Sequence, residues 1–294
     1  AKAWILYRGR RGLNLQSLIF KQVSYKMFQK FLTWFIQLTP GMKRGFWKWW
    51  YNAFAKRAQD DTFKFMNYGY HADGFNPPLQ ESDENERYPI HLYHHVATQI
   101  DITDKTVLEI GSGRGGGASY LTRYLNQKSY VGIDISETAV DLCNEIHHLE
   151  NLSFQVGDSE SIPFDDGKFD VVLNVESSHC YGNMDQFMSE VTRVLKPGGH
   201  FLWCDLRPGN SREKTNTHFT NSDLQLINKN EITENIIVAL EKMSAGRKNA
   251  IKSRVPRLVR NIFESYAGVK GSRVHDSFIN GTLIYLSAAM QKPE

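Results

Sequence analysis

The 294-residue sequence has only three cysteines, Cys143, Cys180 and Cys204, an odd number with no paired spacing. That excludes a disulfide scaffold, fits a reducing compartment and offers no zinc-ligand pattern. Charge of one sign is also scarce. Thirty-five Lys and Arg against 32 Asp and Glu leave a formal +3, too little to argue for a nucleic-acid partner. No apolar run approaches the ~20 residues that a bilayer-spanning helix needs. The chain opens on Ala1 rather than methionine, which leaves a targeting segment upstream open. What is present is an ordinary globular balance, 41% hydrophobic and 23% charged, at a length that suits one large domain or one domain with appendages. The expected location is cytoplasmic.

Residues 1–60 differ from the rest. Arg8, Arg10 and Arg11 open a basic arm. Phe20, Val23, Met27, Phe31, Trp34 and Leu38 then recur at three- and four-residue steps, one apolar helix face with Lys21, Lys26 and Lys30 elsewhere. After Pro40-Gly41 a second aromatic-basic segment carries Phe46, Trp47, Trp49, Trp50 and Tyr51 among Lys43, Arg44, Lys48 and Lys56. The lysines inside the apolar run exclude a transmembrane helix. Two readings stay open: a helix pair that packs on the core or makes a homo-oligomer contact, and an interfacial helix that touches a membrane peripherally.

Residues 61–294 read as an α/β domain. A helical pattern from Arg87 to Ile100 places Ile90, Tyr93, Val96 and Ala97 on one face. Strands are expected at Thr106–Ile110, Tyr130–Asp134, Leu152–Val156, Phe169–Val175 and Phe201–Cys204. Helices fall between them: Ala118–Leu125, one capped by Ser136, and one burying Phe187, Val191, Val194 and Leu195 that Lys196-Pro197-Gly198-Gly199 stops. Strands joined by such helices make a parallel sheet with right-handed crossovers. Residues 207–275 break the pattern, being polar and helical in parts, and Leu283–Leu286 reads as a last strand. An insertion there suits a lid over substrate. Its basic run, Arg247, Lys248, Lys252, Arg254, Arg257 and Arg260, is read as a solvated helix face or as a site for an acidic group.

The first strand runs into Glu109-Ile110-Gly111-Ser112-Gly113-Arg114-Gly115-Gly116-Gly117. Such a glycine turn between strand and helix presents a nucleotide-like ligand. It fits the dinucleotide fingerprint through Gly111, Gly113 and Gly116, and the S-adenosylmethionine (SAM) fingerprint through Glu109, Gly111, Gly113 and Gly115. Four features choose. Glu109 would repel a pyrophosphate at the helix amino terminus, whereas SAM offers a methionine ammonium. Asp134 ends the second strand, where a carboxylate takes ribose hydroxyls in either class. Asp158, after the third strand, can accept the adenine amino group. Asn174-Val175-Glu176-Ser177-Ser178-His179 places a polar cluster where a sulfonium would sit. SAM is the cofactor these residues suit, with S-adenosylhomocysteine as product and no metal. A nicotinamide-dependent dehydrogenase leaves Glu109 and Asp158 unexplained, and a catalytically dead scaffold has no need of the intact ligand set.

Over roughly residues 65–290 the sequence resembles the class I methyltransferases. Asn67-Tyr68-Gly69-Tyr70, Ser82–Ile90, Gly115–Arg123, Ser178-His179-Cys180-Tyr181 and Asp205-Leu206-Arg207-Pro208 look like the phthiotriol/phenolphthiotriol dimycocerosate methyltransferase group, whose relatives methylate polyketides, lipids and indole-terpenoids. The resemblance implies a Rossmann-like, seven-stranded, mostly parallel sheet with amino-terminal helices and a helical lid before the last strands. It also implies an apolar small-molecule acceptor, with both O- and C-methylation represented.

Cofactor contacts are expected as follows. Glu109 meets the methionine ammonium, and the backbone of Gly111, Ser112 and Gly113 approaches methionine and ribose, which bare glycines permit. Asp134 takes the ribose with Ile135 against adenine, and Asp158 takes the adenine amino group with Ser159 beside it. Asn174 offers its amide near the methionine end, with Glu176 in the same cluster, and Tyr70 covers SAM from the amino-terminal side. Methyl transfer to a hydroxyl needs alignment and a base. His179 is the candidate base and Asp205 its orienting partner, an arrangement similar to that of sugar O-methyltransferases. The alternative is a membrane-associated C-methyltransferase acting on a terpenoid or sterol-like acceptor, with aromatic rings steadying a carbocation.

Overall fold

Apolar strands alternate with amphipathic helices from residue 87 onward: α1 (Arg87–Ala97), β1 (Thr106–Ile110), α2 (Gly116–Tyr124), β2 (Ser129–Asp134), α3 (Glu137–Ile146), β3 (Leu152–Val156), β4 (Phe169–Val175), α4 (Met184–Val194), β5 (Leu195–Pro208), α5 (Arg212–Thr220), β6 (Gln225–Glu231), α6 (Thr233–Arg254), α7 (Arg260–Tyr266), α8 (Arg273–Ile279) and β7 (Leu283–Gln291). The structure is a computed structural model that describes residues 64–255, 257 and 260–294. The helices expected over 1–60, with their membrane or oligomer contact, lie outside the described residues. Among the described residues no helix is long and apolar enough to cross a membrane.

The strands form one sheet in the order β3-β2-β1-β4-β5-β7-β6, parallel except for β7, which runs antiparallel to both its neighbours. Because side chains alternate along a strand, Val107 and Leu108 enter opposite layers. One layer packs α1, α2, α3, α6 and α8 through residues such as Ile90, Ala118, Val140, Ile236 and Phe278. The other packs α4 and α5 through Phe187, Val191 and Phe219. From β1 the chain moves outward to β2 and β3, then returns to β4 on the other side. The carboxyl ends of β1 and β4 therefore flank the crevice where open α/β sheets take ligands.

Several boundaries differ from expectation for physical reasons. Helix α2 starts at Gly116, not Ala118, since a Cβ on Gly116 would lie 2.5 Å from the Lys64 carbonyl and one on Gly117 2.0 Å from the Tyr93 ring. The absent side chains let the segment before α1, and α1 itself, sit against the turn. Strand β5 starts at Leu195, so the Lys-Pro-Gly-Gly stretch lies inside it, with Gly198 at φ +72 supplying the bend. Strand β7 continues five residues past the expected Leu286, to Gln291.

The region 207–275 is not a purely helical insertion. It contains the edge strand β6, exposed along its whole length, so no buried face imposed an apolar alternation on Gln225–Glu231. The helices α6 to α8 lie between β6 and β7, and α6 and α8 pack on the core through Ile236, Leu240 and Phe278. Nor is the basic run uniformly solvated. Lys248, Lys252 and Arg257 are exposed, but Arg247 is half-buried and donates to the carbonyls of Asn67 and Ala267, joining α6 to the segment before α1.

Candidate active site

Glu109 lies in β1 with its carboxylate sealed from solvent. Tyr93 of α1 donates to Oε1 at 2.8 Å and Tyr130 of β2 to Oε2 at 3.0 Å. Burial pushes this carboxyl up to about 7 although both tyrosines favour its ionised form, and Asp134 close by adds to the rise. Among the described residues the site therefore holds an acid with two hydrogen bonds and no cation.

The turn after β1 folds onto β2. The N–H groups of Gly111 and Ser112 both donate to the Ile133 carbonyl, and that of Gly113 donates to Asp134 Oδ2 at 2.9 Å. Gly111 stands at φ +79, and a Cβ there would meet Ser177 Oγ at 2.3 Å. The bare glycine thus lets the β1 and β4 turns touch, a packing need beyond the ligand approach that the sequence suggests. Ser112 packs on Gly132, and its Oγ is buried with no hydrogen bond among the described residues.

Asp134 is half-buried. Its other oxygen accepts from the Ser136 N–H, and burial raises its pKa against the pull of these backbone donors. Ile135, half-buried, follows at the rim. Asp158 Oδ1 accepts from the Glu160 N–H in a tight turn after β3, with Ser159 inside that turn. The carboxyl ends of β1, β2 and β3 thus present Glu109, Asp134 and Asp158 in the order the sequence predicts.

Two expected contacts need correction. Asn174 is fully buried, and its amide nitrogen is already spent on the Ile110 carbonyl, Ser177 Oγ and Tyr181 Oη, at 2.8–2.9 Å. What it leaves open is an acceptor, Oδ1, buried without a partner among the described residues. Tyr70 does not lie over the glycine turn. Its ring stacks on His95 of α1 at 4.2 Å and meets Phe75 edge-on. Met66 reaches the turn, its methyl 3.2 Å from a Cβ placed on Gly113, and Tyr68 reaches the end of β4, its N–H donating to Glu176 Oε2.

Across the crevice, His179 and Asp205 meet as expected, Nδ1 to Oδ1 at 2.8 Å. Asp205 is wholly buried. Its carboxylate also accepts from the His179 N–H and Ser178 Oγ, and Arg207 lies 2.9 Å away. Burial would raise its pKa, but Arg207 and His179 hold it well below the usual carboxylate range. For His179 burial pulls downward, while Cys180 and the Asp205 carboxylate pull upward more strongly, and the net is well above an ordinary histidine. The pairing is the expected one, and the Asp205 carboxylate beside the ring favours the protonated imidazole.

Sequence reasoning did not find the supports of these groups. Tyr93 reads as one more apolar-face residue of a helix. Tyr130 and Tyr285 read as strand fillers, yet each sends its hydroxyl to a buried carboxylate. Arg207 stood in the Asp205-Leu206-Arg207-Pro208 stretch with no role.

The residues suit SAM. Among the described residues the turn and crevice hold two buried oxygens without hydrogen-bond partners, Ser112 Oγ and Asn174 Oδ1, and a carboxyl without a counter-cation, a set that a cationic amino-acid moiety matches. Comparison with known proteins agrees. The family profile described as a methyltransferase domain matches residues 108–203. The phthiotriol/phenolphthiotriol dimycocerosates methyltransferase of Mycobacterium leprae is 38% identical over 245 residues, 83% of this chain and 91% of that protein. The chain belongs to the class I SAM-dependent methyltransferases. A fatty-acid O-methyltransferase of Mycolicibacterium smegmatis is 37% identical to this methyltransferase over 244 residues, 83% of this chain and 88% of the relative. The fold is shared with the geranyl diphosphate C-methyltransferase of Streptomyces coelicolor, with a TM-score of 0.56 at 18% identity, covering 82% of this methyltransferase and 98% of that chain.

Proposed function

We propose that this methyltransferase moves the methyl group of SAM to a hydroxyl of an apolar, lipid-like small molecule. The observation that carries the reading is the similarity, along nearly the same length of chain, to two relatives named for lipid acceptors, one of them for O-methylation. SAM supplies a methyl group on a sulfonium, ready for in-line displacement. The chain supplies position: Glu109 for the ammonium, the turn at Gly111 to Gly113 for the backbone approach, Asp134 for the ribose with Ile135 against the base, and Asp158 with Ser159 for the adenine edge. Holding donor and acceptor in line accounts for much of such a rate. The Asp205, His179 and Arg207 group then fixes charge on the acceptor side.

The deciding experiment incubates the protein with methyl-labelled SAM and a lipid extract of the host, then characterises the labelled product. An alkali-stable methyl ether on a lipid is the expected result. An alkali-labile methyl ester would move the acceptor to a fatty carboxylate, and a label on carbon would favour the terpenoid or sterol-like alternative. Asp134→Ala should abolish SAM binding in calorimetry, and unchanged affinity would remove its ribose role.

A further inference from the structure

We infer that Glu176, rather than His179, takes the proton from the acceptor hydroxyl. The inference rests on the hydroxyl reading above and adds to it the identity of the base. Glu176 follows the last residue of β4, at the switch point of the sheet, on the opposite side of the crevice from the glycine turn. It is one of three described non-glycine residues with positive φ, at +50, and the only one of the three at the carboxyl edge of a parallel strand. Such a conformation costs about 1–3 kcal/mol and persists where surroundings hold it. Here they do. The Glu176 N–H donates to the Cys204 carbonyl, while Oε2 accepts from the Tyr68 N–H at 2.9 Å and from Tyr285 Oη at 2.8 Å. Both donors converge on one oxygen. Oε1 makes no hydrogen bond among the described residues, so the carboxylate is fixed by one atom and open at the other.

The electrostatics differ from those of its neighbour in the useful direction. Burial pushes the Glu176 carboxyl up to about 7 against the donors that favour its charge. A base poised near the working pH is the efficient one. The charged and titratable groups around it are Tyr68, Tyr93, Tyr285, Cys204, His179, Asp205 and Arg247. Of these, His179 opposes the rise and Asp205 adds to it, while Arg247 feels the pull of the same carboxyl. In the step, the acceptor oxygen forms its bond to the methyl carbon as the carbon–sulfur bond breaks and leaves its electron pair on sulfur. The hydroxyl proton passes to Glu176 Oε1. The sulfonium charge and the carboxylate charge disappear together, leaving a thioether, a methyl ether and a carboxylic acid.

The test uses the full chain, Glu176→Gln, Tyr285→Phe and His179→Gln, with a 4-alkylphenol as acceptor and the more acidic 4-alkyl-2-nitrophenol as a second probe. Glu176→Gln should lower turnover of the alkylphenol on the order of 10²–10⁴-fold, with SAM affinity by calorimetry within threefold of wild type. The nitrophenol, already ionised without help, should recover most of that loss. The acid limb of the kcat profile should vanish in Glu176→Gln, move to higher pH in Tyr285→Phe, and persist in His179→Gln. Independently of turnover, infrared titration of the free protein should lose one carboxylic C=O component near pH 7 in Glu176→Gln. Equal losses with both phenols, an unchanged infrared titration, or a limb lost in His179→Gln alone would overturn the assignment. If wild type labels neither phenol but does esterify palmitate, the hydroxyl reading itself falls and the base with it.

Discussion

The two banks of the crevice hold acids in opposite ways. On the β1 side, Glu109 is buried against neutral partners, two tyrosine hydroxyls, and its pKa is pushed up to about 7. On the β5 side, Asp205 is as deeply buried but faces Arg207 and His179, and stays ionised. One bank holds an acid with no cation beside it among the described residues. The other is complete without a ligand. Burial alone therefore does not set the charge of a carboxyl here. What it is buried with does.

The largest expected effect breaks the complete bank. Asp205→Ala leaves Arg207 and His179 without their shared anion and should cost about 3–5 kcal/mol of stability, since removing one partner of a buried pair strands the other charge. Urea denaturation measures it. If the loss is near zero, the group is not the closed electrostatic unit described.

Next in size is the contact between the banks. Gly111→Ala puts a left-handed residue at about 1–3 kcal/mol and drives its methyl into Ser177. Gly167→Ala, also left-handed at φ +61 but facing open space, is the matched control. Thermal unfolding should place the Gly111 variant clearly below the Gly167 variant, and equal melting points would mean that the two turns are not in contact.

The β1 bank should titrate. A raised carboxyl binds its proton more tightly folded than unfolded, so its contribution to stability is present below about pH 4.5 and is lost as pH rises to about 7. Ligand-free protein should thus lose stability over that window, and Glu109→Gln should recover on the order of 1–3 kcal/mol at pH 8 while weakening SAM. SAM affinity of wild type should rise with pH through about 7, as Glu109 becomes the anion that pairs with the ammonium. Calorimetry showing a flat affinity would detach Glu109 from that role. Tyr130→Phe, which removes one donor, should weaken SAM at neutral pH about fivefold, roughly 1 kcal/mol.

The smallest effect lies outside the comparison. Leu226→Thr on the exposed β6 edge should stay within about 0.5 kcal/mol, and a larger loss would mean that something covers that edge.

Strands β1 and β4 were legible because burial on both sheet faces forces continuous apolar runs, and the edge strand β3 because its burial alternates; the glycine turn and strand-end acids follow such strands directly. Strand β6 was not legible, because an edge strand exposed on every residue carries no burial pattern. The protein contacts of Asn174 and Tyr70 were not legible. Their contacts, Ile110 and Ser177 for one and His95 for the other, come from different elements, and spacing along one strand cannot reveal them.

By itself the sequence determined the order of the strands' acids, the glycine turn and the cofactor class, since a parallel α/β sheet delivers every strand end to one edge. Only the tertiary structure decided the charge states. Glu109, Glu176, His179 and Asp205 differ in what folding packs against them: tyrosine hydroxyls, a backbone N–H with Tyr285, a carboxylate, and a pair of cations. Protonation follows those partners, and they are brought in from distant parts of the chain.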